Sequence, residues 1–460
     1  MYFNRKIDAD LLDWKNGKRR KPLLIRGARQ VGKSRSIRNL GKTFKYFMEV
    51  NFETQPELKA VFQELSDVHE IANRLGTLLH TPVEEGETLL FIDEIQACPE
   101  ALHSLWAFKE DFPGLHVAAA GSLLEFTLKK MPSFGVGRIR SMFMYPMSFD
   151  EFLMATGHER WVEAKNKADY WHPVAPELHS ALVQQFRSYL MVGGMPASVS
   201  AWADSHDYLQ CADEQSDIQQ TYYDDFAKYS DKIDIMLLRN TLRSVVAQVG
   251  KKFVYSRVEG NYRIEEVKKA LTMLCDAGII KMVQRSSGNG LPLGAESNDR
   301  YRKYIYLDSG LMLRMLDMEM ASSKELTELI LVKSAEELVN KGPLAEMVAG
   351  WEIIKGMTPR TEHDLYYWEN NSDGGSAEVD YLIAQDFKVI PLEVKSGVTG
   401  KMKSLRYFMS QKHLTAGKRC SLENFGLIEF QDTSDPQNQG VIKTIYIHPL
   451  YCMSTIGIMP

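Results

Sequence analysis

The chain has 460 residues, 44% of them hydrophobic and 25% charged. That is ordinary globular composition, and at ~150 residues per domain it points to about three domains. A net charge of -5 excludes a wholesale polyanion binder, and the longest apolar runs fall short of the ~20 residues of a membrane span.

The first ~150 residues alternate strands with helices. Pro22 to Ile25, Phe44 to Phe52, Thr88 to Ile92, Leu115 to Ala120 and Ser141 to Tyr145 are apolar runs of strand length. The pattern predicts an α/β domain over 1–150 with a mostly parallel, doubly wound sheet. From 151 to 232 the chain reads as a helical lid or linker, broken at Val192-Gly193-Gly194-Met195-Pro196. From 233 to 310 two helices, closed by Gly250 and Gly278, precede IIKMVQR and YRKYIYLD, two strands around a glycine-rich loop. That order predicts a winged helix. Residues 311–460 return to α/β, with a helix through LAEMVAGWEIIKG followed by strands LYYWEN, AEVDYLIA and FKVIPLEVK.

Gly27-Ala28-Arg29-Gln30-Val31-Gly32-Lys33-Ser34 fits GxxxxGK[ST] without mismatch, between a predicted strand and a predicted helix. Such a loop wraps phosphate with backbone N–H groups and the helix N-terminus. Lys33 would reach the β- and γ-phosphates of ATP, and Ser34 would ligate Mg²⁺. Asp93 and Glu94 end an apolar strand, at the edge where parallel sheets bind ligands. Asp93 is expected to hold Mg²⁺ and Glu94 to activate the attacking water. Ser122, after the strand LHVAAA, is placed to sense the γ-phosphate. Arg138 is a candidate finger or sensor arginine.

GARQVGKS, FIDEIQ, AAGSLLEF, VGRIR, YPMSFDEF and YLMVGGMP together resemble a family of bacterial and archaeal AAA+-type ATPases with a C-terminal domain of unknown function. The resemblance covers nearly the whole chain. It implies a P-loop ATPase using ATP and Mg²⁺, with an additional strand between the phosphate-loop and Asp-Glu strands, which Phe44 to Phe52 could supply. Where the family has Thr-Gly-Ser, this chain has Ala120-Gly121-Ser122, one hydroxyl fewer beside the γ-phosphate.

Residues 251–285 carry eight Lys or Arg against four acids, and Arg300, Arg302 and Lys303 follow. In a winged helix these basic residues would lie on backbone phosphate, so DNA contact is expected through 251–303. A protein-binding face is the alternative.

Asp380, Glu393 and Lys395 form a D-x12-E-x-K arrangement. Residues two apart on a strand share a face, and a hairpin would bring Asp380 beside Glu393 and Lys395. Two carboxylates with a lysine can hold a metal ion and support phosphodiester hydrolysis. Glu346, on the preceding helix, is a further metal-side candidate. The arrangement resembles the nuclease superfamily that includes many restriction endonucleases.

Five widely spaced cysteines without a CxxC pair exclude a disulfide scaffold and fit a reducing cytoplasm. The N-terminus lacks an apolar signal core, and no membrane partner is expected. The favoured reading is an ATPase coupled to action on DNA. The rivals are a slow nucleotide switch with a catalytically inactive, protein-binding C-terminal half, and an ATP-regulated metal-dependent nuclease. A protein partner or a homo-oligomer is compatible with each.

Overall fold

The computed structural model describes residues 2–121, 128, 137–229, 233–316, 342–372, 375–395, 402–432 and 440–459. The chain folds into two compact units. The first comprises Met1–Pro146 with two short later segments, Asp276–Ile279 and Thr358–Glu362.

In this first unit, strands β1 (Leu23–Arg26), β2 (Tyr46–Asn51), β3 (Thr88–Asp93), β4 (His116–Ala120) and β5 (Arg140–Phe143) form one sheet in the order β2-β3-β4-β1-β5. All neighbours run parallel. β3 and β4 are buried along their whole length. This follows from their continuous apolar runs, because a parallel sheet covered on both faces has no solvent side. Helices α1 (Ile7–Asn16), α2 (Lys33–Gly41), α3 (Lys59–Glu64), α4 (Val68–Leu78) and α5 (Pro99–Asp111) cover it. Ile71, Ala72 and Leu75 of α4, Leu102 and Leu105 of α5 and Leu90 and Ile92 of β3 share one core cluster. The strand lying between the phosphate-loop strand and the Asp-Glu strand is β4, not the 44–52 segment, which supplies edge strand β2. Chain order alone does not reveal this, because β4 follows β3 in sequence yet inserts between β3 and β1.

The second unit comprises Met147–Cys275, Ile280–Met357 and His363–Pro460. It opens with helices α6 (Phe149–Ala155), α7 (Glu159–Lys167), α8 (Pro176–Val192), α9 (Pro196–Ser205) and α10 (Tyr208–Asp225). Ser148 and Glu151 cap α6 reciprocally, satisfying two of the N–H groups that a helix start leaves open. Helices α11 (Ile235–Ala247) and α12 (Ile264–Asp276) follow. In α12, Val267, Ala270, Leu271 and Leu274 are buried while Lys268 and Lys269 are exposed, the face division that a 3.6-residue period dictates.

The hairpin expected as a wing is β6 (Ile280–Ser286) and β7 (Ser297–Tyr306). It is continuous with the C-terminal sheet: β6 pairs in parallel with β8 (Leu365–Ser372). With β9 (Gly375–Gln385), β10 (Lys388–Val394), β11 (Ala416–Ser421), β12 (Gly426–Gln431) and β13 (Ile442–Pro449), it makes an eight-stranded sheet of order β12-β13-β11-β10-β9-β8-β6-β7. The boundary expected at 310/311 therefore falls inside one sheet, and residues 151–232 share a unit with it. Helices α13 (Ser309–Met315), α14 (Gly342–Gly356) and α15 (Lys403–Gln411) complete the unit. No helix among the described residues is long and apolar enough to cross a membrane.

Candidate functional site

The loop from Gly27 to Ser34 runs between β1 and α2. Gly27 has φ +144, and a Cβ there would lie 2.1 Å from the Met144 carbonyl oxygen, so glycine is required on both counts. Gly32 caps α2 in the left-handed region. The Lys33 ammonium is buried and donates to the carbonyls of Gly27 at 2.9 Å and Ala28 at 2.7 Å. Burial lowers its pKa to about 8, against the opposing pull of Glu94 and Asp93. Val31 is buried, and its carbonyl accepts from the Arg5 guanidinium at 2.8 Å. Arg29 pairs with Glu53 at 3.0 Å. Gln30 adopts φ 62, which bends the loop.

Asp93 ends β3 and is held from several sides. Its carboxylate accepts from the Ser34 hydroxyl at 3.0 Å, the Glu94 N–H at 3.1 Å and the Asn51 amide at 3.3 Å. Arg38 of α2 stands 3.8 Å away. Burial raises the Asp93 pKa, while the Ser34 bond works the other way. Glu94 sits at φ 51, ψ 43, a left-handed conformation that an acidic side chain adopts at a cost and that clusters at functional sites. Its carboxylate accepts from Gln96 at 2.6 Å. Hydroxyl and carboxylate oxygens 3.0 Å apart are a donor set that suits Mg²⁺, a hard ion bound through a few oxygens with retained water. A buried ammonium resting on neutral carbonyls suits phosphate.

Asn51 and Arg38 escaped the sequence reading. The register pairing Asn51 with Asp93 puts that amide in place, and register is set between strands far apart in sequence. Ser122 lies outside the described residues. Arg138 is half exposed, pairs with Glu110 at 3.1 Å and lies over the Trp106 ring at 4.9 Å; both partners are on α5.

In the second unit the expected hairpin is present. β9 and β10 pair antiparallel with Leu392 opposite Tyr381, and continuing that register sets Glu393 opposite Asp380. The Asp380 carboxylate accepts from the Val394 N–H at 2.7 Å, and Lys395 pairs with Glu393 at 2.5 Å. Glu346 of α14 joins them: one carboxylate oxygen each from Glu346, Glu378 and Asp380 lie within 4.8 Å of one another. The Tyr381 hydroxyl donates to the Glu346 carbonyl at 2.8 Å, fixing α14 to β9.

Glu378 and Lys303 were not singled out as site residues from sequence. Glu378 is two residues before Asp380, hence on its face; in the sequence Lys303 reads as part of the basic stretch. Lys303 is 1% exposed, with its ammonium 2.8 Å from Glu346 and 2.5 Å from Glu378. Desolvation raises both Asp380 and Glu346 to about 7, with Glu393 reinforcing the first and Lys303 opposing the second. Burial also raises Glu393. Its Oε2 is buried without a hydrogen-bond partner among the described residues. Four acids against two lysines leave a negative excess that a divalent cation would offset.

The basic stretch is largely matched by acids. Lys268 pairs with Glu265 and Arg263 with Glu266. Lys252 and Arg285 both approach Glu369, and Lys281 approaches Asp364.

The all-parallel sheet, its glycine loop and the strand-end acids define a P-loop nucleotide-binding domain. Residues 19–153 match the family described as AAA domain. Residues 183–322 and 341–447 match two families described only as domains of unknown function, DUF8612 and DUF4143. The chain thus joins an AAA+-type P-loop ATPase domain to a C-terminal domain of unknown function. No curated protein matches it. Among solved structures it is similar to a Walker-type ATPase of Pyrococcus abyssi, at 17% identity over 68% of this chain and 96% of that one, with a TM-score of 0.44. It is also similar to the Aeropyrum pernix ORC1 protein in complex with DNA, at 12% identity over 72% and 94%, with a TM-score of 0.29. The Thermotoga maritima RuvB Holliday junction branch migration motor shares 13% identity over 60% and 89%, with a TM-score of 0.26.

Proposed function

We propose that the first unit binds ATP with Mg²⁺ and hydrolyses it, and that hydrolysis drives or gates action on DNA by the second unit. The observation that carries the ATPase reading is the meeting of Ser34, Asp93 and the buried Lys33 at one loop. Loop N–H groups and Lys33 bind the phosphates. Ser34 and Asp93 would hold Mg²⁺, which when bound would offset phosphate charge. Glu94 takes the proton of the attacking water. Asp380 and Glu346, joined by Glu378, would hold a second divalent cation, with Glu393 and its partner Lys395 beside them and Lys395 available to the reacting phosphate.

Lys33→Ala should weaken ATP binding by on the order of 10- to 100-fold, since a hydrogen bond to a charged group contributes about 1.5–3 kcal/mol. Glu94→Gln should keep ATP and lose roughly 10²- to 10⁴-fold in kcat, the usual contribution of a general base. Parental turnover in Glu94→Gln removes Glu94 from that role.

The slow switch with a protein-binding C-terminal half draws on a different observation: the pairing of the basic stretch with acids. Measuring ATPase rate with and without DNA decides between them. Stimulation supports the first reading, and indifference to DNA supports the switch.

A further inference from the structure

The second unit contains a lysine that the nuclease-like pattern does not call for. Lys303 lies on β7, far in sequence from Asp380 and Glu393, yet its ammonium sits on Glu346 and Glu378. Trp351 of α14 donates to the Tyr306 carbonyl at 2.6 Å, which ties the helix carrying Glu346 to the strand carrying Lys303. The Tyr367 ring lies 5.0 Å from the ammonium.

Oxygens bound to one Mg²⁺ or Ca²⁺ stand up to about 4–5 Å apart, given metal–oxygen bonds of roughly 2.0–2.6 Å. The separation of at most 4.8 Å among Glu346, Glu378 and Asp380 therefore frames a volume for one ion. The Lys303 ammonium already contacts two of these three groups. An ammonium and a divalent cation sharing the same two carboxylates would repel at short range in a desolvated site.

We propose that Lys303 is a built-in counter-ion that closes this carboxylate cluster, and that its ammonium and a divalent cation compete for Glu346 and Glu378. The inference rests on reading the cluster as a metal site and adds what governs its occupancy. Metal enters only when Lys303 withdraws, so whatever shifts β7 sets the affinity. The positive charge holds the acids together in the metal-free protein.

The test is a Mn²⁺ titration of the nucleotide-free full chain by calorimetry and electron paramagnetic resonance. The proteins compared are wild type, Lys303→Met, Lys303→Gln and Asp380→Asn. Both Lys303 variants should bind one Mn²⁺ about tenfold or more tightly than wild type, because removing the lysine leaves the acids uncompensated. Their lowered Tm should rise with Mn²⁺, and adding Asp380→Asn should abolish both effects. If either variant unfolds without metal, millimolar Mn²⁺ must restore its circular dichroism; failure to do so counts against the proposal. If all Lys303 forms bind Mn²⁺ equally and Asp380→Asn removes it, the metal site stands and the competition is refuted. If none binds Mn²⁺ in a way that Asp380→Asn removes, the metal reading fails and the competition with it.

Discussion

Gly278 packs its backbone against the phosphate loop. A Cβ built on it would lie 3.2 Å from the Ala28 nitrogen, at a φ of +71. A side chain there would press on the Gly27–Ala28 peptide and take a disfavoured backbone conformation, at roughly 1–2 kcal/mol. Gly278→Val should lower Tm and raise the ATP Kd together; an unchanged Kd would show that the loop does not feel this contact. The sequence marks Gly278 only as a helix stop, because nothing local reveals what the stop touches. Lys33, Ser34, Asp93 and Glu94 were legible for the opposite reason. Their chemistry is written in short spacings, with a strand and a helix alongside. Lys303 looked like one more surface base, since strand periodicity does not tell which distant acids fold over it.

At the scale of the element, local pairing is legible in the sequence. Asp380 and Glu393 come together because a two-residue turn, Asp386-Phe387, joins their strands and fixes the register. Both turn residues have positive φ, 48 and 60, the conformation that two-residue hairpins favour and that suits Asn or Gly far better than Phe. Phe387 is 99% exposed and contributes no core packing. Phe387→Gly should therefore stabilise the second unit by roughly 1 kcal/mol, seen as a raised Tm; a fall would show that backbone strain at Phe387 does not limit the stability of the unit. Remote pairing is not legible in the sequence. β6 and β7 form the expected hairpin, yet β6 also takes β8 as a neighbour, a parallel crossover that local sequence does not announce.

At the scale of the whole molecule, two histidines are buried neutral. His448 accepts from the Tyr170 hydroxyl at Nδ1 and donates from Nε2 to the Cys452 carbonyl, each at 3.0 Å. Burial lowers its pKa to about 3 and that of His116 to about 4. The unfolded chain takes up these protons below about pH 6.5 while the folded chain does not. Their stabilisation is thus present above pH 6.5 and is lost as pH falls, down to about 4 for His116 and about 3 for His448. Tm should drop across that window. His448→Gln, which can keep both hydrogen bonds, should make the drop shallower, and an equal slope would exclude His448 as a cause.

The segment Thr358–Glu362 completes the first unit. The Pro359 carbonyl accepts the Phe143 N–H of edge strand β5 at 2.8 Å, and Arg360 pairs with Asp10 and Asp13 of α1. On the ribosome, this strap emerges about 200 residues after the sheet it closes. At roughly 5–20 residues per second, the nascent ATPase domain waits on the order of 10–40 s with β5 uncapped, a template for wrong pairing. A chain stopped after Pro146 never ends that wait. It should self-associate in sedimentation, and a peptide spanning residues 356–364 should return it toward monomer. A truncated chain that is monomeric and as heat-stable as the full-length first unit would show the strap to be dispensable.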